Sequence, residues 1–336
     1  MFFRFLVLIT LLLTYNFSYS YNFSDSTFKK YNGEYSFSDR YTIPNVKFIA
    51  QAPLQTKENW FINYESCEEA ALLMSHFTIN DMYYDKNVAN EEINKLNYYQ
   101  EFVLGTERNK IHNPQSKQLY IRDITIQEIH TLAKLYYGYT DENSHILNNP
   151  SIETIKHLVS NDYILIVPSY TKTLANPNFN LLTNSYHVIN IIGYDENNFV
   201  THDPGTSKGE SYLYPFQNVL TGIKENGNDV LILEGNKNKG RIDFNLINEK
   251  ILLEQRANLV VGKINKFIEK KGTKPEDGIK KVLENIRKSN LSKYDNNNSR
   301  LLLAVEVKLT ERLEIIADRR KNLTYLSDKL REHFDK

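Results

Sequence analysis

The chain has 336 residues, 41% of them hydrophobic, and its 41 basic and 41 acidic side chains cancel to a net charge of zero. That length and apolar content suit one large globular domain or two ordinary ones, and exclude a disordered chain. Balanced charge leaves no electrostatic footprint for nucleic acid or for an anionic membrane surface.

Residues 1–20 divide into a basic start with Arg4, an apolar run from Phe5 to Leu13 and a polar stretch ending Ser18-Tyr19-Ser20. This is the layout of a secretory signal peptide cleaved after Ser20. The apolar run falls short of the roughly 18–20 residues that a bilayer span requires. A secreted or periplasmic protein is therefore expected, with an uncleaved signal anchor as the alternative and the one route to a membrane. Export gives weight to the cysteine count, because the single cysteine, Cys67, cannot form an internal disulfide. A free thiol kept in oxidising surroundings suggests a use.

Residues 21–45 read as a polar linker, and Val46 to Ala50 as a short strand opening the first compact region. A helix follows from about Cys67 to Thr78. Ser66 suits its cap, Glu68 and Glu69 suit the positive end of its dipole, and Ala70, Ala71, Leu73 and Met74 supply an apolar face. Cys67 thus lies in the first turn, where unpaired N–H groups lower a thiol pKa from about 8.5 towards roughly 3.5–7.5. The other reading of Cys67 is a small buried hydrophobe. Further helices are predicted around Ala89–Phe102 and Thr125–Tyr136, and after the cap Ser151. The period then changes. Tyr163–Pro168, His187–Tyr194, Asn198–His202 and Val230–Leu233 read as strands, and Asp195-Glu196-Asn197 as a hairpin turn that makes the middle two antiparallel neighbours. Helices followed by a sheet indicate an α+β domain. Beyond residue 240 the pattern is helical over Phe244–Lys270, Pro275–Lys288 and Ser299–His333. In the last stretch Leu302, Val305, Leu309, Ile316, Leu323, Leu326 and Leu330 form a seam. The seam suits either a self-packing all-α extension or an arm, residues 299–333, for dimerisation or partner docking.

Thiol catalysis needs a general base, a group that orients it and donors for an oxyanion. Of eight histidines, His76, His130 and His157 fall in helical patterns, and His112, His145 and His333 in polar surroundings. His187 differs, since it opens the most apolar strand. If the two strands pair through the Asp195 turn, either His202 or Asp203 returns beside it, although Asp203-Pro204-Gly205 is also an ordinary turn signal. An Asp there would hold the imidazole in the right tautomer. No HExxH motif, cysteine pair or glycine-rich phosphate loop occurs, so no metal or cofactor is expected. His187, His202 and Asp203 are the nearest approach to a zinc set.

Gln51-Ala52-Pro53, Asn59-Trp60, Cys67-Glu68-Glu69-Ala70, Tyr186-His187-Val188, Ile192-Gly193-Tyr194-Asp195 and Asp203-Pro204-Gly205-Thr206 occur in an order that resembles the peptidase family C-39-like domains. These are cysteine peptidases of papain-like fold related to the bacteriocin double-glycine leader peptidases. The resemblance implies a peptidase domain over 46–235 with a helical extension over 240–336. It implies Cys67 as nucleophile, His187 as base, Asp203 as orienting acid and Gln51, or failing that Gln55, as a side-chain donor to the oxyanion hole. Glu68 stands where the leader peptidases carry glycine, and a carboxylate beside a nucleophilic thiol opposes its ionisation unless it turns to water. The expected activity is cleavage of a peptide or protein substrate through a thioester acyl-enzyme. The alternatives are transfer of the acyl group to an amine, and a catalytically inactive peptide-binding module. Trp60 and Tyr64 are candidates to line the groove beside the thiol, or else packing anchors.

Overall fold

The computed structural model describes residues 38–103, 109–110, 119–120, 123–179, 183–288, 301 and 304–318. The expected signal peptide and the linker up to residue 37 lie outside them. The described residues fall into two units, one ending at Ile247 and the other beginning at Asn248.

The first unit begins with β1 (Tyr41–Thr42), α1 (Lys57–Ile62), α2 (Cys67–Ile79), α3 (Lys86–Val103), β2 (Asn109–Lys110), β3 (Leu119–Tyr120) and α4 (Ile126–Tyr137). It continues through β4 (Ser144–Asn148), α5 (Ile152–Val159), β5 (Leu165–Tyr170), α6 (Thr171–Leu174), β6 (Tyr186–Tyr194) and β7 (Asn198–His202). β8 (Tyr212–Pro215), α7 (Phe216–Glu225) and β9 (Asp229–Leu233) complete it. Caps explain several of the boundaries. Thr125 and Glu128 form a reciprocal capping box ahead of α4, Gly138 closes that helix in the left-handed region, and the Ser151 hydroxyl accepts from Thr154 N–H to start α5. Ser66 departs from expectation: it precedes α2 but makes no side-chain cap, because its hydroxyl instead accepts from the buried amide of Asn97 on α3 at 2.9 Å.

The main sheet has seven strands, all antiparallel, in the order β4-β9-β5-β6-β7-β8 with β1 joined to β6. The Asp195 turn forms as expected, its carboxylate accepting from the N–H groups of Asn197 at 2.8 Å and Asn198 at 2.7 Å. Register then sets Asn190 opposite His202, so the chain leaves β7 alongside the start of β6. Val46–Ala50 is not a strand. Its backbone is held by side chains instead: Lys47 N–H donates to Thr78 Oγ1, Tyr84 OH to Phe48 O, and His202 Nε2 to Val46 O. The strand that does form there is β1, within the stretch read as linker.

α2 and α4 pack on one face of the sheet, while α5 and α7 cover the other. Asn190, fully buried in β6, fastens α2 by donating to Ala71 O at 3.0 Å and Ser75 Oγ at 2.8 Å. The second unit has its own core. Ala257 and Ile264 of α8 (Phe244–Lys270), Ile279 and Leu283 of α9 (Pro275–Lys288), and Ala304, Val305 and Leu309 share it. Val305 and Leu309 of the seam therefore face their own helices, and Ile316 packs against them, whereas Leu302, Leu323, Leu326 and Leu330 lie outside the described residues. Among the described residues no helix is long and apolar enough to cross a membrane.

Removing the Asn190 amide leaves buried partners unsatisfied between helix and sheet. Asn190→Ala is expected to lower the unfolding free energy by about 1–3 kcal/mol, read by urea denaturation.

Candidate active site

Cys67 opens α2 and is 3% exposed. Its Sγ–H donates to Glu68 Oε2 at 3.0 Å, and the N–H of Val188 on β6 is directed at the sulfur. Among the described residues it makes no hydrogen bond to His187. Burial, then the charges of Glu68 and Asp123, hold the thiol well above its ordinary range, against a lowering by the Val188 N–H. This reverses the effect expected of a first-turn cysteine. The physical reason is Glu68, which does not turn to water: it is 1% exposed, and its other oxygen accepts from Ile124 N–H at 2.9 Å.

His187, second residue of β6, donates from Nε2 to Asp203 Oδ1 at 2.7 Å, which leaves Nδ1 as the nitrogen open to a thiol. Asp203 has no exposed surface. Burial alone would raise its carboxyl, but His187, the Tyr214 hydroxyl and the Gly205 N–H outweigh that and bring it below the usual range. Tyr214 is itself held by Asn176 Nδ2 at 2.7 Å. Phe179 meets the imidazole edge-on, with ring centroids 5.1 Å apart. Gly205 lies so close beneath the ring that a Cβ there would sit 2.7 Å from His187 Cε1 and 2.9 Å from Phe179 Cε1. Of the two residues that could have reached His187, Asp203 is the one that does. His202 faces elsewhere, accepting from Ser211 N–H at Nδ1 and donating from Nε2 to Val46 O. With both of its nitrogens occupied the zinc set has no geometry, and among the described residues no group of three metal-binding side chains is found.

Gln51 is buried, and its Nε2 donates to Asn63 O at 3.1 Å and Tyr64 O at 2.6 Å. Both amide hydrogens are thereby committed to the loop ahead of Cys67, not turned into an oxyanion site. Its backbone N–H donates to Pro204 O at 2.9 Å, so Gln51 ties the loop before the thiol to the loop carrying Asp203. Gln55 is exposed. Trp60 lies half-buried on α1, and Tyr64, Phe61 and Ile62 are 54%, 48% and 58% exposed.

Acidic groups crowd the start of α2. Burial first, then Asp123, pushes Glu65 up to about 8. Glu69, 1% exposed and with no hydrogen-bond partner for its oxygens beyond its own N–H, is pushed up to about 8 by burial and by Asp123, against a lowering by that N–H. Tyr186 turns a buried, unpartnered hydroxyl into the field of Glu68, Cys67 and Asp123. Phe179, Tyr214 and Asn176 carried no sequence signal, since nothing in their spacing relates them to His187.

A buried thiol at the head of a helix, met by a strand N–H, and a histidine–carboxylate pair on that same strand and its neighbouring loop are parts that a cysteine-peptidase-like domain carries. The chain belongs to the Peptidase_C39 like family, whose model matches residues 43–229, more than half of the 336. A crystal structure of a Bacillus anthracis protein classed as C39-like peptidase is similar at 17% identity and a TM-score of 0.41, over 58% of this chain and 98% of that one. Among curated proteins none matches.

Two outcomes follow from this geometry. Gly205→Ala must displace the imidazole or Phe179, and is expected to cost about 1–3 kcal/mol in urea denaturation. Glu69 sits at about 8 when folded against an ordinary 4.5, so its contribution is fully present below about 4.5 and is lost as pH rises towards 8, where the unfolded chain ionises and the folded one resists. Glu69→Gln should therefore raise Tm at pH 8 and leave it nearly unchanged at pH 4, in thermal scans of both proteins.

Proposed function

We propose that this domain is an active cysteine peptidase acting on a peptide or protein substrate, with Cys67 as nucleophile, His187 as base and Asp203 as orienting acid. The observation that carries the reading is the His187 Nε2–Asp203 Oδ1 bond at 2.7 Å on the residue preceding Val188, whose N–H meets the thiol. Base and nucleophile are thus tied to consecutive residues of one strand.

In this mechanism Nδ1 of His187 takes the Cys67 proton and the thiolate attacks the peptide carbonyl carbon. The Cys67 N–H, in a first helical turn that offers it no i−4 carbonyl, donates to the oxyanion. Gln51 joins it only by releasing Asn63 O or Tyr64 O, so its resting role is to set the loop. Collapse of the adduct expels the amine, which receives the proton from His187 and leaves a thioester. His187 then deprotonates a water that attacks the thioester, and the thiol is restored. Asp203 keeps the proton on Nε2 in the resting tautomer and stabilises the imidazolium. The exposed apolar side chains of α1, with Trp60 and Tyr64, supply a surface for substrate side chains ahead of the thiol. Export through residues 1–20 belongs to the same proposal.

A peptide-binding module without turnover is the second reading, favoured by the hydrogen bond that keeps the Cys67 proton on Glu68. Incubation with a peptide library, read by mass spectrometry, separates the two. Wild type should cleave, and Cys67→Ala and His187→Ala should lose at least about 100-fold in rate while unfolding normally in urea. Retained turnover in Cys67→Ala, or a wild type that binds peptides without cleaving any, would reject the peptidase.

A further inference from the structure

One contact of the thiol lies outside that mechanism. Cys67 Sγ–H is given to Glu68 Oε2 at 3.0 Å, on the next residue of the same helical turn. Two constraints place the carboxyl group there. At 1% exposure it cannot reach water, and Oε1 is fixed by the Ile124 N–H at 2.9 Å, so Oε2 remains for the sulfur. The groups facing Glu68 from each element around it add no positive charge. They are Cys67 and Glu69 on its own helix, Asp123 ahead of α4 and Tyr186 on β6, with Glu65 beyond Asp123. Among the described residues no Lys, Arg or His pairs with Glu68. Burial, Glu69 and Asp123 raise the Glu68 carboxyl itself well above its ordinary range, while the S–H and the Ile124 N–H lower it. Wherever Glu68 is ionised, a thiolate formed here would stand beside an uncompensated carboxylate, and like charges at such separation disfavour ionisation.

We propose that Glu68 restrains the nucleophile, holding Cys67 as a neutral thiol until its S–H turns from Glu68 Oε2 to His187 Nδ1. The inference rests on Cys67 being the nucleophile. In the first arrangement no bond breaks. In the second the S–H bond breaks, its proton passes to Nδ1 and its electron pair stays on sulfur, while Glu68 neither gains nor loses a proton. The high pKa of the thiol follows from the same geometry.

The test is the rate of Cys67 alkylation by iodoacetamide as a function of pH, on the full chain. Glu68→Gln keeps an oxygen for the Ile124 N–H and offers the sulfur a donor in place of a charge. Its inflection should fall by about one unit or more, with alkylation about tenfold faster below both inflections. Glu68→Asp, which retains the charge but draws it back from the sulfur, should lie between wild type and Glu68→Gln. An inflection unchanged or raised in Glu68→Gln would overturn the proposal, as would equal shifts in the two variants, which would mark a packing effect. If Glu68→Gln fails to fold, Glu68→Asp decides by itself: a lowered inflection supports the restraint and an unchanged one rejects it. His187→Ala, measured alongside, reports on the underlying mechanism separately. Loss of any His187 dependence would sink the base–nucleophile reading, whatever Glu68→Gln does.

Discussion

A carboxylate with no exposed surface survives folding only where donors and a counter-charge replace the water it has lost. Asp203 collects three such partners from three parts of the chain: the His187 imidazole on β6, the Gly205 N–H in its own loop and the Tyr214 hydroxyl on β8. Each partner is then fixed in turn. Asn176 holds Tyr214, Phe179 and Gly205 close on the imidazole, and Gln51 binds Pro204 O with its backbone and the Asn63 and Tyr64 carbonyls with its side chain. The loop leading into Cys67 is thereby positioned by the same set of bonds that keeps Asp203 charged. Removing one member costs more than a single hydrogen bond, because it leaves buried charge uncompensated.

The outline of this site was legible in the sequence where local rules were strong. Ala70, Ala71, Leu73 and Met74 at helical spacing located α2, and the Asp195 turn between two apolar runs brought the end of β7 back to the start of β6, which set His202 or Asp203 beside His187 and left the choice of Asp203 to the family resemblance. What could not be read depended on partners remote in the chain. Val46–Ala50 has the composition of a strand, yet its backbone groups go to side chains of Thr78, Tyr84 and His202. The direction of Glu68 was equally hidden. Twelve of the thirteen residues of α2 are buried, so the helix offers its acids no solvent face, and only tertiary packing decides which neighbour each one meets.

The head of α2 also departs from the local rule for helix starts. Acids in a first helical turn ordinarily stabilise it through the helix dipole. Here Glu68 and Glu69 are buried, Glu69 has no partner beyond its own N–H, and burial makes both carboxyls harder to ionise. A well-formed helix start was available to this sequence, as the Thr125–Glu128 box of α4 demonstrates. The departure occurs at the helix that bears the thiol, and such breaches of local consistency concentrate at functional sites.

α8 carries a consequence for the modularity of the chain. The boundary between the two units falls between Ile247 and Asn248, inside a helix that runs from Phe244 to Lys270. Its first residue belongs to the first unit, where the Phe244 ring stacks on His145 at 3.8 Å and meets Tyr163 edge-on at 5.3 Å. Severing before α8 strips an aromatic plug from the sheet, and severing at the boundary leaves a single helical turn, far shorter than the about 12–15 residues at which an isolated helix becomes even marginal.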